Sequence, residues 1–139
     1  MPQPGGVQLV VSSDAVDVAL ARLADHLESA GLAPQRLGIA MVVADEMLTN
    51  VVRCAWPFGG THEFHLLVRL EPPILHLLLE DDGIAFDPTK APAPDLTLAL
   101  EDRPIGSLGL HLVRALSRSM SYARQDGRNR LEVSLDTTP

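Results

Sequence analysis

The chain of 139 residues has the size of one compact domain with room for a substantial core. Its formal net charge of −7 opposes a surface that tracks nucleic acid backbone or anionic lipid, so a polyanionic ligand would need specific donors or a metal. A single cysteine, Cys54, excludes an intramolecular disulfide and a thiolate zinc cluster.

The opening MPQPGGVQLVV lacks a basic segment followed by a long apolar run, and no stretch of the chain approaches the roughly 18–20 apolar residues of a membrane span. The expectation is one domain over residues 1–139, cytoplasmic, with neither nucleic acid nor membrane as partner.

In chain order, VQLVV (Val7–Val11) reads as a strand. Ser12, Ser13 and Asp14 read as a helix cap before the apolar series Val16, Leu20, Leu23, Leu27, which ends at Gly31. A second helix is expected from Pro34 to about Ala55, with proline in its first turn and WPFGG after its end. Two strands, His62–Leu70 and Ile74–Glu80, form a hairpin across Glu71–Pro73. The proline-rich segment from Asp87 to Pro104 has few ladder donors and reads as a loop or lid. A third helix is expected from Gly106–Gly109 to about Arg118. Strands near Met120–Arg124 and Leu131–Leu135 close the chain around a turn at Asp126 and Gly127. Strands joined directly to strands favour an α+β, two-layer sandwich: a mostly antiparallel mixed sheet with helices on one face.

Three segments carry unusual chemistry. In DEMLTNVVR, spacings of four and three residues set Glu46, Asn50 and Arg53 on one helical face. A carboxylate can orient or deprotonate a nucleophile, an amide oxygen suits magnesium, and a guanidinium neutralises phosphate. In LEDDGIAFDP, the backbone leaves an apolar strand at an acidic turn where Gly83 relaxes the backbone limits. Asp81 could accept a hydrogen bond from a purine amino group there, with Phe86 as a pocket wall. In PIGSLGLHLVRAL, Gly106 and Gly109 flank a helix start whose free N–H groups favour an anion.

Each segment has a plainer alternative: a solvated helix edge, an acidic turn with Phe86 in the core, and a flexible helix entry. Rival signatures fail. The lone lysine, Lys90, precedes Ala91, so there is no Walker P-loop, and no dinucleotide glycine fingerprint follows the first strand. IGSLG lacks the setting of a nucleophile elbow. His62 and His65, in HEFH, are expected on opposite strand faces and make no metal motif.

Taken in order, DEMLTN, EDDGIAF and GSLGLHLV resemble the N box and the two glycine boxes of the GHKL (HATPase_c) ATPases, whose domain is the Bergerat fold. More narrowly, EMLTNVVR, DDGIAFDP, RPIGSLGLHLVRAL and DGRNRLEVSL resemble RsbW-type anti-sigma factor serine/threonine kinases, over about Asp45–Leu135. The resemblance implies ATP and Mg2+ as cofactors, Glu46 as catalytic base and Asn50 as magnesium ligand. It implies nucleotide contacts from Arg53, Asp81, Gly83, Ala85, Phe86, Arg103, Gly106, Ser107, Leu108, Gly109 and Leu110, with a lid over about Thr89–Ile105.

The implied activity is transfer of the ATP γ-phosphoryl group to a serine of a STAS-domain anti-sigma factor antagonist. The kinase would alternate between that antagonist and a sigma factor or other target, as a homodimer. The chain departs from the family pattern at Ala85 and Ser107, each usually glycine, at Cys54, where many relatives have histidine, and at Arg128–Arg130, which lack a threonine common near the closing strand. Two alternatives stand beside the kinase: a noncatalytic ATP-dependent binding module, and the detached catalytic module of a sensor histidine kinase.

Overall fold

The computed structural model describes residues 6–90, 97–99 and 107–138. Strand β1 (Gly6–Ser12) leads through helices α1 (Val16–Ser29) and α2 (Pro34–Cys54) to the hairpin β2 (Glu63–Glu71) and β3 (Ile74–Asp81). A short 3-10 turn, Pro88–Lys90, precedes α3 (Ser107–Leu116), and the hairpin β4 (Ser119–Gln125) and β5 (Arg128–Asp136) closes the domain. The five strands form one sheet in the order β1-β2-β3-β5-β4. Every pairing is antiparallel, so the parallel component implied by a mixed sheet is not found among the described residues. The α+β two-layer plan itself holds.

Alternation along the strands explains the layering. Phe64, Leu66 and Val68 of β2, Leu75, Leu77 and Leu79 of β3, and Leu131, Val133 and Leu135 of β5 are all buried. They meet Ala19, Leu23 and Leu27 of α1 and Val43, Ala44, Met47 and Leu48 of α2 in one core. Full burial of such a side chain contributes about 1.5–3 kcal/mol, so this inner face is what fixes the strand registers. Helix α2 packs against both α1 and α3 and crosses β3.

Local signals set the helix ends, with one correction. The expected cap from Ser12–Asp14 is not formed: Ala15 is the N-cap and no side chain caps α1. Those residues serve the neighbouring loop instead, because Ser13 exchanges hydrogen bonds with the His62 backbone, Ser13 N to His62 O at 2.8 Å and His62 N to Ser13 Oγ at 2.9 Å. The other end of α1 follows the sequence. Gly31 takes φ +87°, and its N–H reaches Glu28 O at 3.0 Å while Leu32 N–H reaches Leu27 O at 3.1 Å, the two bonds of a Schellman stop.

The closing hairpin matters most for the site. Asp126 and Gly127 both have positive φ, 54° and 75°, the signature of a two-residue type I′ turn. That turn fixes the pairing of Gln125 with Arg128 and of Arg124 with Asn129. On the other side of β5, Asn129 pairs with Asp81. A carboxylate, an amide and a guanidinium therefore stand in one row across three strands.

Candidate nucleotide site

Helix α2 carries Glu46 and Asn50 one turn apart, and the end of β3 carries Asp81. Asn50 is 4% exposed and Asp81 5%, burial at which a polar group needs partners. Asn50 Oδ1 accepts from Arg53 Nη2 at 3.4 Å and from Cys54 Sγ at 3.7 Å. Asp81 Oδ1 accepts from Gly83 N and from Asn129 Nδ2, each at 2.9 Å. Between these groups lies a small, nearly closed pocket of about 20 Å³, with Val51, Leu79 and Leu131 as its apolar floor and Phe86, Pro88 and Tyr122 at its sides.

Two glycines allow close approaches beside this pocket, one to backbone and one to a carboxylate. A Cβ on Gly83 would stand 2.4 Å from both Cβ and O of Ala55, at the end of α2. Its absence lets Ile84 N–H bond Ala55 O at 2.8 Å, which ties the acidic turn to α2. A Cβ on Gly109 would stand 1.9 Å from Glu46 Oε2. Small size at the start of α3 is thus what allows it to lie on the Glu46 carboxylate.

The sequence-predicted residues do not all converge. Asn50, Asp81 and Phe86 line the pocket, and Gly83 packs on Ala55, which also lines it; Glu46 and Gly109 meet each other one helical turn before Asn50. Arg53 is exposed and joins through its bond to Asn50. Ala85 is exposed, whereas Leu110 is buried. Arg103 and Gly106 lie outside the described residues, as do the side chains of Ser107 and Leu108. The expected lid is described at its root only in part: Pro88 is buried in the 3-10 turn. Thr89 N bonds Asp87 Oδ1 at 2.9 Å. His62 precedes β2 and stacks on Trp56 with ring centroids 4.3 Å apart, so the opposite-face expectation for His62 and His65 does not apply.

Four residues escaped the sequence reading. Asn129 donates to Asp81 and, at 2.7 Å, to Ile84 O. Arg124 Nη1 donates to Gly83 O at 2.7 Å and to Asn129 Oδ1 at 3.1 Å, and Tyr122 OH donates to the same Oδ1. Arg114 of α3 holds the lid root, with Nη2 at 3.2 Å from Pro88 O and 3.0 Å from Thr89 O. The Asp-Gly turn signalled that Arg124 faces Asn129; nothing local signalled that Asn129 faces Asp81.

Burial raises the Cys54 thiol above its ordinary pKa, against smaller opposing effects of the Arg53 charge and hydrogen bond. The thiol is therefore neutral at physiological pH. For a divalent ion, no three His, Cys, Asp or Glu side chains converge among the described residues. Asn50 Oδ1, a hard oxygen lining the pocket, fits an ion that takes most of its other oxygens from phosphate and water, as magnesium does.

The profile of the histidine kinase-like ATPase domain matches residues 10–135. The chain belongs to that family. This histidine kinase-like ATPase domain is 38% identical over 96 residues to the serine/threonine-protein kinase BtrW of Bordetella bronchiseptica, covering 69% of this chain and 68% of that one. The resemblance to RsbW-type kinases of the GHKL superfamily is thereby borne out.

Two solved structures share the fold. The histidine kinase domain of the Erythrobacter litoralis EL346 blue-light activated histidine kinase superposes with TM-score 0.52 at 16% identity. That match covers 86% of this chain, which spans 60% of the length of the other. The Acinetobacter baumannii histidine kinase AdeS gives TM-score 0.51 at 16% identity, with 96% and 68% covered. ATP binding follows from membership of the ATPase family. No helix among the described residues is long and apolar enough to cross a membrane.

Proposed function

We propose that this domain is a protein-serine kinase of a bacterial partner-switching system. It takes Mg-ATP, transfers the γ-phosphoryl group to a serine of a STAS-domain anti-sigma factor antagonist, and otherwise holds a sigma factor or another target. The observation that carries the reading is the contact of α3 with α2: Glu46 lies against Gly109, and one helical turn on Asn50 opens on the pocket that ends at Asp81. The similarity to BtrW, itself a serine/threonine-protein kinase, supports the choice of chemistry.

In this reading the adenine enters between Phe86 and the apolar floor, with its amino group toward Asp81. A bound Mg2+, held by Asn50 Oδ1 and phosphate oxygens, would supply charge neutralisation at the phosphates. Arg53, exposed beside Asn50, adds a guanidinium for phosphate oxygens. Glu46 accepts the proton of the attacking serine hydroxyl, and the packed α2–α3 contact holds its carboxylate in place. We assign the protein to the cytoplasm and to a homodimer. The sheet face without helices, where half-buried Leu67 and Leu78 lie among His65, Arg69, His76 and Glu80, offers the dimer a surface.

The test is transfer of label from γ-labelled ATP with magnesium to a candidate STAS partner. Label on a serine, lost in Glu46→Gln and Asn50→Ala, is the expected result. ATP binding without transfer to any cognate partner would instead leave a noncatalytic, ATP-dependent binding module.

A further inference from the structure

Asn129 is a buried amide, 5% exposed, whose hydrogen-bonding capacity is fully used by the protein. Its two Nδ2 hydrogens go to Asp81 Oδ1 at 2.9 Å and Ile84 O at 2.7 Å. Its Oδ1 accepts from Phe86 N at 3.3 Å, Arg124 Nη1 at 3.1 Å and Tyr122 OH. An amide offers two donors and two lone pairs, so nothing remains for a ligand. Asn129 does not read a base itself.

Its effect falls on Asp81. Both hydrogen bonds to that carboxylate from described residues, from Gly83 N and Asn129 Nδ2, use Oδ1; Oδ2 receives none among the described residues. Pinning one oxygen from two directions fixes the plane of the carboxylate and leaves the other as a free acceptor in a pocket that Asp81 lines. The same amide holds the following turn by Ile84 O and Phe86 N, and Arg124 holds it by Gly83 O. One side chain thus sets both the acceptor and the wall of the pocket.

We infer that Asn129, steadied by Tyr122 and Arg124, is a positioning residue that sets selectivity for 6-aminopurine nucleotides by orienting Asp81. The inference rests on the ATP-binding reading and adds to it the residue that determines base discrimination. An unoriented carboxylate loses its hydrogen bond to the exocyclic amino group but keeps the floor and the phosphate contacts. Loss should therefore be confined to nucleotides bearing that group.

The experiment measures calorimetric binding of ATP and of purine riboside triphosphate, which lacks the amino group, to wild type and to Asp81→Asn, Asn129→Ala and Arg124→Ala. Wild type should prefer ATP by about tenfold or more, the scale of a hydrogen bond to a charged group. Asn129→Ala should lose about tenfold in ATP affinity with the purine riboside triphosphate affinity unchanged, bringing the preference near one. Arg124→Ala, at an exposed position with less risk to folding, should lower the preference about threefold.

Equal loss for both nucleotides in Asn129→Ala, or a preference retained in both Asn129→Ala and Arg124→Ala, overturns the inference. Preference retained in Asp81→Asn overturns the role of the carboxylate and the inference with it. Failure of wild type to bind either nucleotide would sink the ATP reading itself, a result distinct from the other two.

Discussion

Replacing Gly109 with alanine should separate catalysis from stability. The added Cβ would stand 1.9 Å from Glu46 Oε2 and 2.7 Å from its Cδ. The carboxylate must retreat by about 1.5 Å to restore ordinary contact, and misplacement of even about 1 Å costs a reaction on the order of 100-fold. The clash is with the far end of a flexible side chain, so the fold need not yield. Alanine in place of helical glycine even gains up to about 1 kcal/mol.

The expected variant unfolds in urea at the wild-type midpoint or above it, yet transfers phosphate about 100-fold more slowly in single turnovers at saturating ATP. Transfer within about threefold of wild type in a folded variant would remove the Glu46–Gly109 contact from the mechanism. Unfolding of the variant would refute the claim that Glu46 absorbs the clash.

Gly83→Ala should behave oppositely, because its Cβ meets backbone: Ala55 O at 2.4 Å and Ala55 C at 2.7 Å. Overpacking there should cost about 1–3 kcal/mol in urea unfolding and weaken ATP binding as well; unchanged stability would contradict the close approach. Leu77→Ala, under the centre of the helical layer and 0% exposed, should cost about 2–5 kcal/mol without changing nucleotide preference in the folded fraction.

Cys54 gives the pH signature. Its folded pKa is raised, chiefly by burial, so as pH climbs through the ordinary thiol range of about 8.5 the unfolded chain loses its proton first and stability falls. Cys54→Ser should flatten that fall in urea midpoints taken between pH 7 and 10, and a fall of equal slope in the variant would assign it elsewhere. Alkylation of Cys54, which lines the pocket, should be slow at pH 7 and slower still with ATP bound; reaction at the rate of a free thiol would contradict its burial.

The elements were largely legible because each has a local cause. Pro34 opened α2, Gly31 closed α1, and alternating Leu and Val gave the β2–β3 hairpin. The failed cap at Ser12–Asp14 shows the limit of local reading: the same hydroxyl chemistry served a residue 49 positions away, His62, rather than the adjacent helix. The line of Glu46 and Asn50 was visible as helical spacing. The surfaces that face it were not, because a polar stripe on α2 becomes a site only when α3 and β3 are packed beside it.

The sequence by itself determined the type and order of the elements, the Asp-Gly turn that pairs Arg124 with Asn129, and the carboxylate, amide and glycine motifs that mark the ATPase family. Only the tertiary structure decided that Asn129 faces Asp81 and that Gly109 lies on Glu46. Residues within an element are related by the fixed geometry of helix or strand, so their spacing can be read. Residues on different elements meet only through the packing of a shared core, and no local pattern records which partner that packing selects.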